Sequence, residues 1–154
     1  AGASKVLVSS NSEETKLVNN TQIIKDVYPN NGPLSGIHAA FVKAKIPLLV
    51  LPVDMPLLDS TLLQNLVEKG QMLNQAVYYQ DNILPLYLPY QQQIFEHLQQ
   101  TLSEPIQDKR SLSIKRLLKQ VSFAEIPVAE FQNKKLFNVN TPEQWQQVLN
   151  DLDR

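Results

Sequence analysis

Asp54 stands at the end of an apolar run, Leu48-Leu49-Val50-Leu51-Pro52-Val53, and is followed by Met55-Pro56. An unbroken apolar run of this length suits a strand buried on both faces, as in a parallel sheet. Pro56 biases Met55 away from helix, so the strand should stop there and leave Asp54 at its carboxyl end. In open α/β sheets that edge is where ligands bind. A lone carboxylate there can ligate a hard cation such as Mg²⁺ while substrate phosphates supply the other oxygens. It can also do no more than cap a turn. Asp26 follows Ile23-Ile24-Lys25 in the same manner, which begins to define one functional edge.

Between these carboxylates lies Tyr28-Pro29-Asn30-Asn31-Gly32-Pro33-Leu34-Ser35-Gly36. Its breakers predict a loop, and Pro33 suits the first turn of a helix carrying Ile37, Ala40, Phe41 and Ala44 at helical spacing. A glycine-containing loop that opens a helix can hold an anion on free N–H groups. Alternatively, Gly32 and Gly36 serve only the turn and close packing. Asn138 and Asn140 alternate onto one side of an expected strand, Leu136–Asn140, where two amides can read a ligand or merely satisfy a turn. Lys109, Arg110, Lys115, Arg116 and Lys119 crowd one segment. They fit a phosphorylated substrate or a solvated helix face.

The elements that must position these residues follow from periodicity. Val6-Leu7-Val8 reads as a buried strand and Ser12-Glu13-Glu14 as a helix start. Asp59 or Ser60 caps a helix bearing Leu62, Leu63, Leu66 and Val67, with Gly70 or a point near Leu73 as its end. Ala76–Tyr79 and Ile83–Leu88 form an antiparallel hairpin in which Pro85 marks an edge, a bulge or a strand start. Helices follow around Ile94–Leu102 and Ser111–Val121, then a strand over Phe123–Val128. Thr141-Pro142-Glu143-Gln144 carries a cap, a first-position proline and a capping-box glutamine.

The 154 residues, 43 % hydrophobic, suffice for one domain with its own core. A net charge of −1 gives no global field for nucleic acid or membrane surfaces. The absence of cysteine excludes disulfides and thiolate metal sites and fits a cytoplasmic protein. No run reaches the roughly 20 apolar residues of a bilayer span.

Taken in order, Asp26, Gly32-Pro33-Leu34-Ser35-Gly36, Leu51-Pro52-Val53-Asp54-Met55-Pro56 and Phe137-Asn138-Val139-Asn140-Thr141-Pro142-Glu143 resemble the molybdenum cofactor guanylyltransferases, the MobA-like branch of the nucleotidyltransferases. The resemblance runs from about Lys5 to the end. It implies a Rossmann-like three-layer α/β fold with a mostly parallel sheet. It also implies transfer of GMP from Mg·GTP to the terminal phosphate of molybdopterin or molybdenum cofactor, with release of pyrophosphate. Asp54 matches the Mg²⁺ ligand. Asn11, Asp26, Gly32, Gly36 and Asp54 match the nucleotide side, and Asn138, Asn140, Lys109 and Arg110 the acceptor side.

Three departures accompany the match. The family's opening strand and Leu-Ala-Gly-Gly phosphate loop have no counterpart beyond Ala1-Gly2, so the chain is expected to be N-terminally incomplete and to lack the first central strand. An Asn-x-Asn strand end reads here Ser9-Ser10-Asn11, and a histidine before the proline is Leu84. Alternatives are a related nucleotidyltransferase using CTP or another acceptor, and a non-catalytic nucleotide-binding scaffold.

Overall fold

A computed structural model of the chain describes residues 2–10, 21–104 and 112–152. The elements are β1 (Val6–Ser9), β2 (Thr21–Ile24), α1 (Gly32–Ala44), β3 (Leu48–Val50), α2 (Ser60–Leu73), β4 (Ala76–Tyr79), β5 (Asn82–Leu88), α3 (Gln92–Ser103), α4 (Ile114–Leu118), β6 (Phe123–Ile126), a 3-10 helix at Glu130–Leu136, and α5 (Pro142–Leu152). Strands β1 and β2 pair in parallel, while β3, β5, β4 and β6 form a second sheet in that order. Strand β5 runs antiparallel to β3 and β4, and β6 runs parallel to β4. Thus β3, β4 and β6 share one direction and only β5 is reversed.

Side-chain alternation on β4 and β5 builds the three layers. Tyr78, Leu86 and Leu88 pack with Leu34, Ile37 and Phe41 of α1, Ile94 and Leu98 of α3, and Leu117 of α4. Val77, Tyr79 and Tyr87 face the opposite way, onto Leu62 and Leu66 of α2 and Leu136 of the 3-10 helix. Full burial of such side chains stabilises by about 1.5–3 kcal/mol each. Tyr79 lies in this core because its hydroxyl donates to the Leu62 carbonyl at 2.9 Å.

Local chemistry sets the helix ends. Asp59 accepts from the Leu62 N–H at 3.0 Å, capping α2, and is ion-paired to Lys135 of the 3-10 helix. The cap and the cation both hold the Asp59 carboxyl below its ordinary range. At α5, the Gln144 N–H donates to Thr141 Oγ1 at 3.3 Å, and the Asn140 and Thr141 N–H groups donate to Gln144 Oε1 at 2.7 and 3.2 Å. This is the expected capping box. No helix among the described residues is long and apolar enough to cross a membrane.

Three local expectations are corrected, and the choice between two ends of α2 is decided for Leu73. Leu136–Asn140 is not a strand: the 3-10 helix ends at Leu136, and among the described residues the extended segment beyond it makes one backbone bond to another part of the chain, from the Val139 N–H to the Asp54 carbonyl at 2.7 Å. Gly70 is not the end of α2, which runs to Leu73 and closes on Asn74 in the left-handed conformation. A Cβ at Gly70 would lie 2.0 Å from Tyr87 Cδ1, so the glycine permits close packing of helix on sheet. The run around Leu48 is buried on neither face. Strand β3 is half-buried, and Val53 beyond it is 95 % exposed. Likewise Val6 of β1 is 51 % exposed. The physical reason is shared: among the described residues no strand pairing joins the two sheets. Pro85 sits in an inner strand, where the register of β4 against β5 shifts, as a bulge requires.

Candidate functional site

The first constellation lies where β1 and β2 meet α1. Ser9, closing β1, donates from Oγ to Asp26 Oδ1 at 3.0 Å. Both approach α1 at Gly36, where a Cβ would stand 2.8 Å from Ser9 Oγ and 3.0 Å from Ser9 Cβ. Real Cβ atoms do not tolerate such contacts, so only glycine lets the strand-end hydroxyl and the carboxylate reach the helix. Gly32 opens α1 at a φ of +63°, a conformation glycine adopts without steric cost. The Ser35 hydroxyl donates to the Tyr28 carbonyl and fastens the preceding loop to the helix.

A second constellation gathers around Asp54. It lies in the turn after β3, half-buried, and its side chain makes no described hydrogen bond or ion pair. Its carbonyl holds the Val139 N–H and so ties this turn to the segment carrying the two amides. Asn138 and Asn140 are exposed and Val139 between them is buried. The alternation expected of a strand therefore survives without a strand. Asn11, Lys109 and Arg110 lie outside the described residues.

Two cavities lie beside these groups, one lined by Asn138 and Asn140 and the other by Ser9 and Gly36, while Asp26 and Asp54 line neither. One of about 960 Å³ is lined by Asn30, Met55, Asp81, Asn82, Lys115, Phe137, Asn138, Asn140 and Gln144, among others. The other, about 620 Å³, runs between the sheets along Leu7, Ser9, Gly36, Ala40 and Leu48–Leu51. Gly32, Pro33, Pro52, Leu84 and Ile114 line both. The cavities thus adjoin across a common wall. Their size falls within the roughly 300–1,000 Å³ of small-molecule sites.

No group of three or more His, Cys, Asp or Glu residues among those described could hold a metal ion alone. That leaves the chemistry of Mg²⁺, which takes one or two carboxylates and completes its octahedron with water and substrate phosphate. The unengaged carboxylate of Asp54 fits that requirement.

Asp26 and Gly36 are brought together, and so are Asp54, Asn138 and Asn140. No described contact joins the two sets directly. Sequence reasoning passed over Ser9 as a loop residue, although a hydroxyl closing an apolar strand was a usable signal. It also passed over Asp81 and Asn82, the hairpin tip that enters the larger cavity. Nothing local marks that tip, because the sheet brings it there.

The chain matches the family profile described as the MobA-like NTP transferase domain over residues 1–123. It is 31 % identical over 153 residues to the molybdenum cofactor guanylyltransferase of Xanthomonas euvesicatoria, covering 98 % of this chain and 75 % of that protein. It is 28 % identical over 152 residues to a Clostridium perfringens protein named "Probable molybdenum cofactor guanylyltransferase", covering 94 % of this chain and 74 % of the relative. Among solved structures, the molybdopterin-guanine dinucleotide biosynthesis protein A of Archaeoglobus fulgidus superposes with a TM-score of 0.67 at 20 % identity, over 86 % of this chain and 68 % of the other. That likeness bears on the fold.

Proposed function

From the premise that the chain belongs to the MobA-like NTP transferase family, and hence to the nucleotidyltransferases of molybdenum cofactor biosynthesis, we propose that it transfers GMP from Mg·GTP to the terminal phosphate of molybdopterin. The observation that carries this reading is the pair of adjoining cavities with a common wall at Gly32-Pro33, Pro52, Leu84 and Ile114. A reaction that joins two substrates needs two such compartments meeting at one point. In this reading the 154 residues act as one nucleotidyltransferase unit.

Asn11, Asp26, Gly32 and Gly36 belong to the nucleotide side. Asp26, oriented by Ser9, supplies a carboxylate acceptor for nucleotide donors. Asn138 and Asn140 face the acceptor from the larger cavity; Lys109 and Arg110, which lie outside the described residues, are assigned to the acceptor by the sequence resemblance alone. An oxygen of the acceptor phosphate attacks the α-phosphorus of GTP. The new P–O bond forms as the bond to the β-phosphate oxygen breaks, and pyrophosphate leaves with the electron pair. Nothing is oxidised or reduced. The task of the protein is positioning and charge neutralisation. Asp54 would hold Mg²⁺, which when bound offsets the charge on the triphosphate.

Calorimetric titration of the purified protein with Mg·GTP, with Mg·CTP as control, tests the reading. Selective GTP binding that weakens at least about tenfold in Asp54→Asn is expected, the loss of a charge-assisted contact being worth that much. Equal binding of both nucleotides would remove the guanylyl assignment. Unchanged Mg·GTP binding by Asp54→Asn would remove the metal-ligand assignment.

A further inference from the structure

Lys115 is the one cation lining the larger cavity among the described residues, and it makes no described hydrogen bond or ion pair. It follows Ile114, one of the residues common to both cavities, but itself lines only the larger. Lys115 therefore stands next to the common wall, on the side of the larger cavity. Its backbone is fixed: Ser113 caps the short α4 through the Arg116 N–H, while Ile114 and Leu117 are buried. Asp81 lines the same cavity without a described ion pair to Lys115.

We propose that Lys115 binds the terminal phosphate of the acceptor and holds it against the wall across which the nucleotide lies. The inference rests on the guanylyl-transfer reading above. The chemistry requires such a group. Two anionic phosphates must approach within bonding distance, and their repulsion falls when a cation stands beside the attacking one. Lysine suits this place because its ammonium is a compact point charge on a flexible stem. The amides of Asn138 and Asn140 can engage the neutral part of the acceptor but carry no charge to offset that of the phosphate. Lys115 thus acts as a substrate-binding residue of the acceptor half and leaves nucleotide binding alone.

Initial rates of the purified protein, with molybdopterin and Mg·GTP varied in turn, provide the test. Lys115→Ala should raise KM for the acceptor about 10- to 100-fold, the worth of a charge-assisted hydrogen bond, and leave KM for GTP unchanged. Lys115→Arg should restore most of the acceptor affinity, which a merely structural role for an exposed side chain would not predict. An unchanged acceptor KM in Lys115→Ala overturns the proposal, as does an equal rise in both KM values. A parent protein that binds both substrates yet transfers no guanylyl group overturns the function reading and the role of Lys115 with it.

Discussion

The inner strands of the four-stranded sheet and the flank that carries the residues proposed for the nucleotide side are built to different standards. On β4 and β5, Ala76, Val77, Leu86 and Leu88 are wholly buried, with helices on both faces. On the flank, among the described residues, β1 and β2 pair only with each other and β3 pairs on one side, with the 620 Å³ cavity between the sheets. Helix α1 joins the halves, packing Ala39 and Ala40 on Ile24, Leu7 and Leu48 while Leu34, Ile37 and Phe41 enter the main core. Burial is thus concentrated away from the edge proposed to take ligands, as expected of sites drawn from the less stable parts of a fold.

Hydrogen exchange should display the largest difference. Amides of β4 and β5 should exchange only through global opening, and those of β1 and β2 through local opening that costs several kcal/mol less. Equal protection in the two regions would break the comparison by showing a single cooperative unit. Gly70→Ala probes the tight half directly. The new methyl would meet the Tyr87 ring at 2.0 Å. Overpacking costs about 1–3 kcal/mol, against less than about 1 kcal/mol gained in helix propensity. A net loss of about 2 kcal/mol in urea unfolding is expected. Adding Tyr87→Leu should recover part of it if the ring is the obstacle.

The same contrast separates what could be read in the chain from what could not. The hairpin Ala76–Leu88, helix α3 and the Thr141–Gln144 cap were legible because turn chemistry, helical spacing and capping are local properties. Gly70 and Leu73 stayed open as ends of α2 because the neighbour that explains the glycine, Tyr87, belongs to another element. Leu136–Asn140 carried correct alternation, but a strand needs a partner ladder, and among the described residues only the Val139–Asp54 bond reaches from this segment to a distant one. Asp26 and Gly36 were legible as candidates one by one. That Ser9 joins them depends on the parallel pairing of β1 with β2, a tertiary event. Asp54 was legible for a related reason, since a carboxylate after an apolar run is a local pattern. Its tie to the 138–140 segment was not.

His38, on the helix that joins the halves, offers the smallest and most specific test. It is 2 % exposed, stacked on Phe95 at 5.3 Å and edge-on to Tyr28 at 5.2 Å, and neither ring nitrogen has a hydrogen-bond partner among the described residues. Burial disfavours the imidazolium and pushes the pKa below the ordinary 6.5. The unfolded chain therefore binds a proton at higher pH than the folded one. Stability is complete above pH 6.5 and falls as the pH drops from there toward the folded pKa. One proton can contribute at most about 1.4 kcal/mol per pH unit. His38→Phe keeps an aromatic ring in the stack and removes the proton site. Its urea stability should decline less than that of the parent between pH 7 and 5, while the two differ little in slope above pH 7. Parallel slopes across the whole range would place the acid sensitivity elsewhere. Exchange measured at pH 5 would then sharpen the contrast: if His38 is the weak point, protection should fall first along α1 and α3, and only afterwards on β4.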